Sequence, residues 1–164
     1  MISPLSKNHD AVFSLALLPD GPKLGIRVSD SALLAIDFLK SSTPDKAPQT
    51  ELARLIVTKL LNYSANPASR FSLPIYLHGT AFQQRVWQAI KNIPTGEVCS
   101  YGQLARQLNT GARAIGNACR KNPIPIVIPC HRVVGANSMG GYSGQTSGAQ
   151  LTIKSRLLAH EQQR

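Results

Sequence analysis

Residues 123–134 read PIPIVIPCHRVV. Ile124, Ile126, Val127 and Ile128 form a short run of apolar, β-branched side chains, and such a run predicts a buried strand. Pro123 and Pro125 open it and Pro129 closes it, since proline offers no backbone donor to a ladder. Cys130 is therefore expected just past the strand end, at a rigid corner, with His131 and Arg132 next. A thiol beside two groups that can carry positive charge is a candidate low-pKa nucleophile. The competing reading is a small buried hydrophobe, the common fate of a lone cysteine. Neighbours in a strand point to opposite faces, so Cys130 and His131 can pair only across a bend or a bridging water.

Outward from this stretch, charge divides the chain. Residues 1–75 hold 8 Lys/Arg against 6 Asp/Glu, residues 76–164 hold 10 against 2, and the net charge is +10. A basic second half points to a polyanion, most simply nucleic acid. The three cysteines, Cys99, Cys119 and Cys130, contain no C-x-x-C pair. That argues against a disulfide framework or a structural zinc site and for a reducing compartment. The apolar run at residues 11–18 is too short to span a membrane and reads as a strand.

Two domains are expected, a scaffold over 1–75 and a working domain over 76–164. In the first, strands at 11–18 and 24–28 flank the turn Pro19-Asp20-Gly21-Pro22. Residues 32–38 are apolar and of undecided type, and 41–48 is a loop. Thr50 can cap a helix whose apolar positions are Leu52, Leu55, Ile56 and Leu60, with Lys59 among them, ended by Asn66-Pro67. Residues 70–77 form an extended linker. Nothing here suggests chemistry.

In the second domain Thr80 caps a helix carrying Phe82, Val86 and Ile90 on one face, with Trp87 a core residue. Ser100 caps a helix over 101–108, and Asn109-Thr110-Gly111 turns into a third helix over 112–121, stopped by Asn122-Pro123. Two short helices around a Gly-containing turn predict a helix-turn-helix. The third helix carries Arg113 and Arg120. Its small residues Ala112, Ala114 and Gly116 give a smooth face, suited either to a duplex minor groove or to close helix packing. Residues 135–148 form a Gly-rich loop around Tyr142 and Ser143, a lid or a plain surface loop. The last helix starts near Ala149. Ile153, Leu157 and Glu161 share a stripe, so Glu161 faces the core and needs a partner, His131 being the best placed, unless the helix end frays. His160 points off the stripe.

Ile128-Pro129-Cys130-His131-Arg132-Val133, with Asn122-Pro123 upstream, resembles the active-site signature of the 6-O-alkylguanine-DNA alkyltransferases, repair proteins that take the alkyl group onto their own cysteine. Arg113-Ala114-Ile115-Gly116, Tyr142-Ser143-Gly144 and the ending Leu158-Ala159-His160-Glu161 are similar to that family's segments. The resemblance is strong over 71–164 and weak before it.

It implies an α/β (α+β) fold, a small strand-and-helix domain followed by a mainly helical, winged-helix-like domain with the helix-turn-helix. It further implies single-turnover transfer from the 6-oxygen of guanine to Cys130, and leaves the 4-oxygen of thymine open. By that resemblance His131 and Glu161 complete a relay to Cys130, and Asn122 holds the active-site turn. Tyr101 contacts the flipped base and its phosphate and protonates the leaving guanine. Arg113 replaces the flipped base in the stack, with Ala112, Ala114, Gly116 and Arg120 along the minor groove. Val133, Tyr142 and Ser143 wall the base pocket, the carbonyls of Cys130 and Val133 accepting from the exocyclic amine.

No metal and no cofactor are expected. The partner is double-stranded DNA, bound without sequence preference through phosphates. A monomer, with cooperative assembly along DNA left open, is expected in the cytoplasm at the nucleoid, or in the nucleus of a eukaryote. Three departures stand out. The Tyr101-to-Arg113 spacing is short, 145–150 is long, and Ser155-Arg156 replaces the family's Glu-Trp. The rival readings are a non-catalytic damage binder of the same fold, which would lack the cysteine, a helix-turn-helix regulator, which would carry long polar side chains on the third helix, and a cysteine hydrolase, which would need an oxyanion hole.

Overall fold

The computed structural model describes residues 8–142 and 148–163. The chain divides into two compact units, Met1–Tyr76 and Leu77–Arg164.

In the first unit β1 (Ala11–Phe13), β2 (Lys23–Val28) and β3 (Leu33–Leu39) form an antiparallel sheet in that order. Ala11 faces Ile26 and Ile26 faces Ile36, which lines apolar side chains across the sheet. The undecided segment at 32–38 is thus a strand, while the expected strand at 11–18 keeps only its first three residues. Beyond Phe13 the chain turns, with Leu18 N–H on the Leu15 carbonyl at 3.0 Å and Gly21 N–H on the Leu18 carbonyl at 3.0 Å. Leu15 and Leu18 are still buried, so their apolarity signals core without a ladder. The 41–48 loop adds one backbone pairing to the sheet, Val12 with Lys46.

Helix α1 (Glu51–Ala65) is capped by Thr50, whose hydroxyl accepts from Ala53 N–H at 3.1 Å. Its buried face is Ala53, Ile56, Leu60 and Tyr63. Leu55, expected inside, is 43% exposed. An alanine and a tyrosine take the positions that the leucine count had assigned to the core.

The second unit opens with α2 (Ala81–Lys91), started by a reciprocal capping box between Thr80 and Gln83. Val86, Trp87 and Ile90 are buried and Phe82 is only partly so. β4 (Cys99–Ser100) leads into α3 (Tyr101–Gln107), whose capping box joins Ser100 and Gln103. Thr110 N–H closes the turn on the Ala105 carbonyl at 2.9 Å, and α4 (Ala112–Arg120) follows. The Trp87 indole N–H donates to the Ala118 carbonyl at 2.9 Å and so joins α2 to α4. β5 (Val133–Val134) pairs parallel with β4, and α5 (Ala149–Gln162) ends the unit.

The stretch 123–128 is buried but is not a strand. It folds as successive turns, with Ile128 N–H on the Ile124 carbonyl at 2.9 Å and a bridge between Pro125 and Ile128. The prolines withhold the donors a ladder requires. Ile126 pays for the turn with φ of 74°, a left-handed conformation rare for a β-branched residue. Ile124, Ile126 and Ile128 are each at most 1% exposed, and that burial offsets the strain.

Candidate active site

Asn122 clamps these turns. Its side-chain amide donates to the Ile128 carbonyl at 2.8 Å and its oxygen accepts from Ile124 N–H at 2.9 Å. Cys130 then begins a 3-10 turn, Cys130–Arg132, in place of the expected strand end. Consecutive residues of such a turn do not alternate faces, so the opposite-face objection to a Cys130–His131 relay no longer applies.

The low-pKa expectation for the thiol is corrected. Burial pushes the Cys130 thiol up, opposed by hydrogen bonding from Asn122, the Lys154 ammonium and the Tyr142 side chain. The resting group is a neutral thiol that needs a base.

The candidate base is beside it in sequence. His131 is fully buried, and its Nε2 lies 2.8 Å from Glu161 Oε1. Burial alone would favour protonation of Glu161, but hydrogen bonds from His131 and Arg132 outweigh it and hold the carboxyl well below the usual range. Glu161 is therefore an acceptor, and the shared proton is assigned to Nε2. Burial, opposed by Glu161, lowers His131, so the imidazole rests neutral. Its Nδ1 is buried with no partner among the described residues. This is a bare lone pair available to a proton.

Two site residues were not found by sequence reasoning. Arg132 was noted only as a neighbouring charge, yet it is buried and holds Glu161 through Nε and Nη2 at 2.9 and 2.8 Å. Lys154 was missed altogether. It is fully buried and donates to the carbonyls of Val133 at 2.7 Å and Gly141 at 2.9 Å. A signal existed, because Lys154 precedes Glu161 by seven residues and so shares its helix face.

Lys154 Nζ also lies 5.8 Å from the centre of the Tyr101 ring. The Tyr101 hydroxyl donates to the Gly141 carbonyl at 3.3 Å, and burial pushes Tyr101 up to about 12. Tyr142 is buried at 3% exposure. Ser143 lies outside the described residues.

On α4, Ile115 and Ala118 face inward while Ala112, Arg113 and Arg120 are exposed and Ala114 and Gly116 partly so. A side chain at Gly116 would meet nothing within 4 Å. At that position the small residue serves no helix packing. A cleft of about 510 Å³ runs beside α4, lined by Thr80, Gln83, Ala114, Asn117 and Arg120 among others, and neither Cys130 nor His131 borders it. Among the described residues no group of three or more His, Cys, Asp or Glu side chains could hold a metal, and no helix is long and apolar enough to cross a membrane.

The second unit is thus a helix-turn-helix domain carrying a buried thiol next in sequence to a buried histidine–glutamate pair. Residues 81–163 match the DNA-binding domain of 6-O-methylguanine DNA methyltransferase. A methylated-DNA–protein-cysteine methyltransferase of Methanosarcina acetivorans is 37% identical over 150 residues, covering 87% of this chain and 93% of that protein. One from Mycobacterium leprae is 48% identical over 91 residues, 54% of this chain and 55% of its own length. The crystal structure of Mycobacterium tuberculosis O6-methylguanine methyltransferase superposes with a TM-score of 0.76 at 34% identity, covering 94% of this chain and 92% of that one. The structure of Mycobacterium tuberculosis OGT in complex with DNA gives 0.75 at 35% identity, covering 92% and 90%. The chain belongs to the O6-methylguanine-DNA methyltransferase family.

Proposed function

We propose that this protein repairs alkylated duplex DNA by moving the alkyl group from the 6-oxygen of guanine to Cys130, once per molecule. The observation that carries the reading is the buried His131–Glu161 pair beside Cys130, with Nδ1 left bare. The basic domain binds phosphates, and the lesion is flipped out because its 6-oxygen is out of reach inside the stack. Arg113 fills the gap it leaves. Ala112, Ala114 and Gly116 let α4 enter the minor groove, and Arg120 adds charge.

The thiol proton passes from Cys130 to His131 Nδ1, directly or through a water, and Glu161 balances the imidazolium. The sulfur then attacks the alkyl carbon, forming a C–S bond as the C–O bond breaks. The departing guanine takes a proton from the Tyr101 hydroxyl. Tyr142 and Val133 border the base, and Asn122 holds the turn that presents the sulfur. A thioether is not cleaved by the groups that formed it, so the protein acts once.

One chain supplies the whole relay, which supports a monomer acting at each lesion. Residues 1–75 serve as scaffold. The reaction needs free thiols and DNA access, which fits the cytoplasm at the nucleoid, or the nucleus of a eukaryote. Copies aligning along DNA would appear as cooperative binding in sedimentation.

Intact-protein mass spectrometry after incubation with a duplex holding one 6-O-methylguanine tests the reading. One added CH2 on Cys130, absent in Cys130→Ala, is the expected result. Tight lesion binding with no adduct would instead favour the damage binder.

A further inference from the structure

Glu161 does not serve His131 alone. Its Oε1 accepts from His131 Nε2 at 2.8 Å and from Arg132 Nη2 at 2.8 Å, while Oε2 accepts from Arg132 Nε at 2.9 Å. The rest of the guanidinium is also committed, Nη1 to the Ile93 carbonyl at 2.6 Å and Nη2 to the Thr95 hydroxyl at 3.1 Å. Guanidinium is always charged, and this one is fixed by backbone and side chain on both flanks.

A buried carboxylate facing only a histidine would draw a proton onto it and make an ion pair. Here the carboxylate is already matched by a permanent cation. A second proton on His131 would set two cations against one anion in a site closed to solvent. The other charge acting on His131 is Lys154 of α5, also positive. Helix α2, packed on the same turn, brings the buried Val86, Trp87 and Ile90, its Arg85 and Lys91 being exposed.

The geometry points to Arg132 as a positioning residue for alkyl transfer: by holding Glu161 through both oxygens it keeps His131 a neutral base, Nε2–H on Glu161 and Nδ1 bare, until the Cys130 proton arrives. The arrangement keeps the thiol protonated between lesions, sparing a single-use sulfur from stray electrophiles. The inference rests on the alkyl-transfer reading.

Two readouts separate its failure from failure of that reading. One is the pH dependence of Cys130 carboxamidomethylation by iodoacetamide, located by peptide mass spectrometry. The other is the protonation state of His131 by nitrogen NMR. Neither needs DNA, whereas methyl transfer from the duplex tests the reading itself. In Arg132→Gln, imidazolium should appear at neutral pH and the half-maximal pH of Cys130 modification should fall by about one unit, a tenfold rise in resting thiolate. A neutral His131 and an unmoved profile in the folded variant would overturn the proposal. Where circular dichroism shows Arg132→Gln unfolded, Arg132→Lys is read in its place. Its ammonium cannot span both oxygens, so a smaller shift in the same direction is expected, and no shift overturns the proposal.

Discussion

Lys154 donates to the carbonyl of Gly141 at 2.9 Å and so fastens the last helix to the segment leading into Tyr142. Its second bond, to Val133, reaches the strand that follows the reactive turn. Lys154→Met would keep the volume and take this donor from the Val133 carbonyl, at about 1–3 kcal/mol, while the Gly141 carbonyl keeps the Tyr101 hydroxyl. Single-turnover transfer should fall by more than the stability loss accounts for, since Tyr101 shares the Gly141 carbonyl. Burial lowers Lys154 to about 8 from 10.5. Between those values the folded chain holds fewer protons than the unfolded one, so the Lys154 contribution to stability rises with pH across that window. Urea unfolding of wild type and Lys154→Met from pH 7 to 10.5 should show the difference between them growing in favour of wild type.

Acid should weaken the fold in two stages. His131 and Glu161 both titrate below their ordinary values of 6.5 and 4.5 in the folded chain. Each therefore adds stability that is present above its unfolded value and lost as pH falls beneath it. The first loss begins below pH 6.5 and the second below 4.5. Glu161→Gln should remove the second stage and cost about 3–5 kcal/mol at pH 7, because it leaves Arg132 buried without its counter-charge. Thermal melts across pH 3–8 check both statements.

Gly116→Ala should separate stability from DNA binding. The added methyl meets nothing within 4 Å, and alanine in place of glycine inside a helix adds roughly 1 kcal/mol. If α4 enters the minor groove, the same methyl stands between helix and duplex. Fluorescence anisotropy should show weaker binding by a protein that melts higher. Equal or tighter binding would remove α4 from the groove.

Gly140→Ala should damage the site without touching the reacting atoms. Its φ is 73°, and a Cβ there would stand 2.8 Å from Tyr101 Cε2 and 3.2 Å from the Gly135 nitrogen. The left-handed conformation adds roughly 1–2 kcal/mol of strain for any residue with a Cβ. Tyr101 must shift, and the rate of methyl transfer should drop while iodoacetamide still labels Cys130.

Sequence reading located the helices of the second unit well, because Thr80 and Ser100 each begin a capping box and the turn at 109–111 carries Gly111. It misjudged the centre. The run at 124–128 is as apolar as a strand, and only its backbone shows that prolines at 123, 125 and 129 prevent pairing. The Asn122 clamp spans six residues and leaves no periodic trace. Glu161 was legible because a lone carboxylate sat on an apolar stripe. Lys154, on the same face, was not, because a lysine there reads as a solvated charge. The shared use of Glu161 by His131 and Arg132 depends on three elements meeting, which no local pattern encodes.

Glu161 sits in the final turn of α5, where helices ordinarily fray first. Opening that turn here would break two bonds from a guanidinium and one from an imidazole, all out of water. The usual gradient of amide protection along a terminal helix should therefore run backwards, with the last turn exchanging more slowly than the turns around Ser155 and Arg156. Every frayed molecule is also one in which His131 has lost its Nε2 partner and Arg132 its counter-charge. The slow exchange of a few C-terminal amides is then a direct count of the copies ready to act.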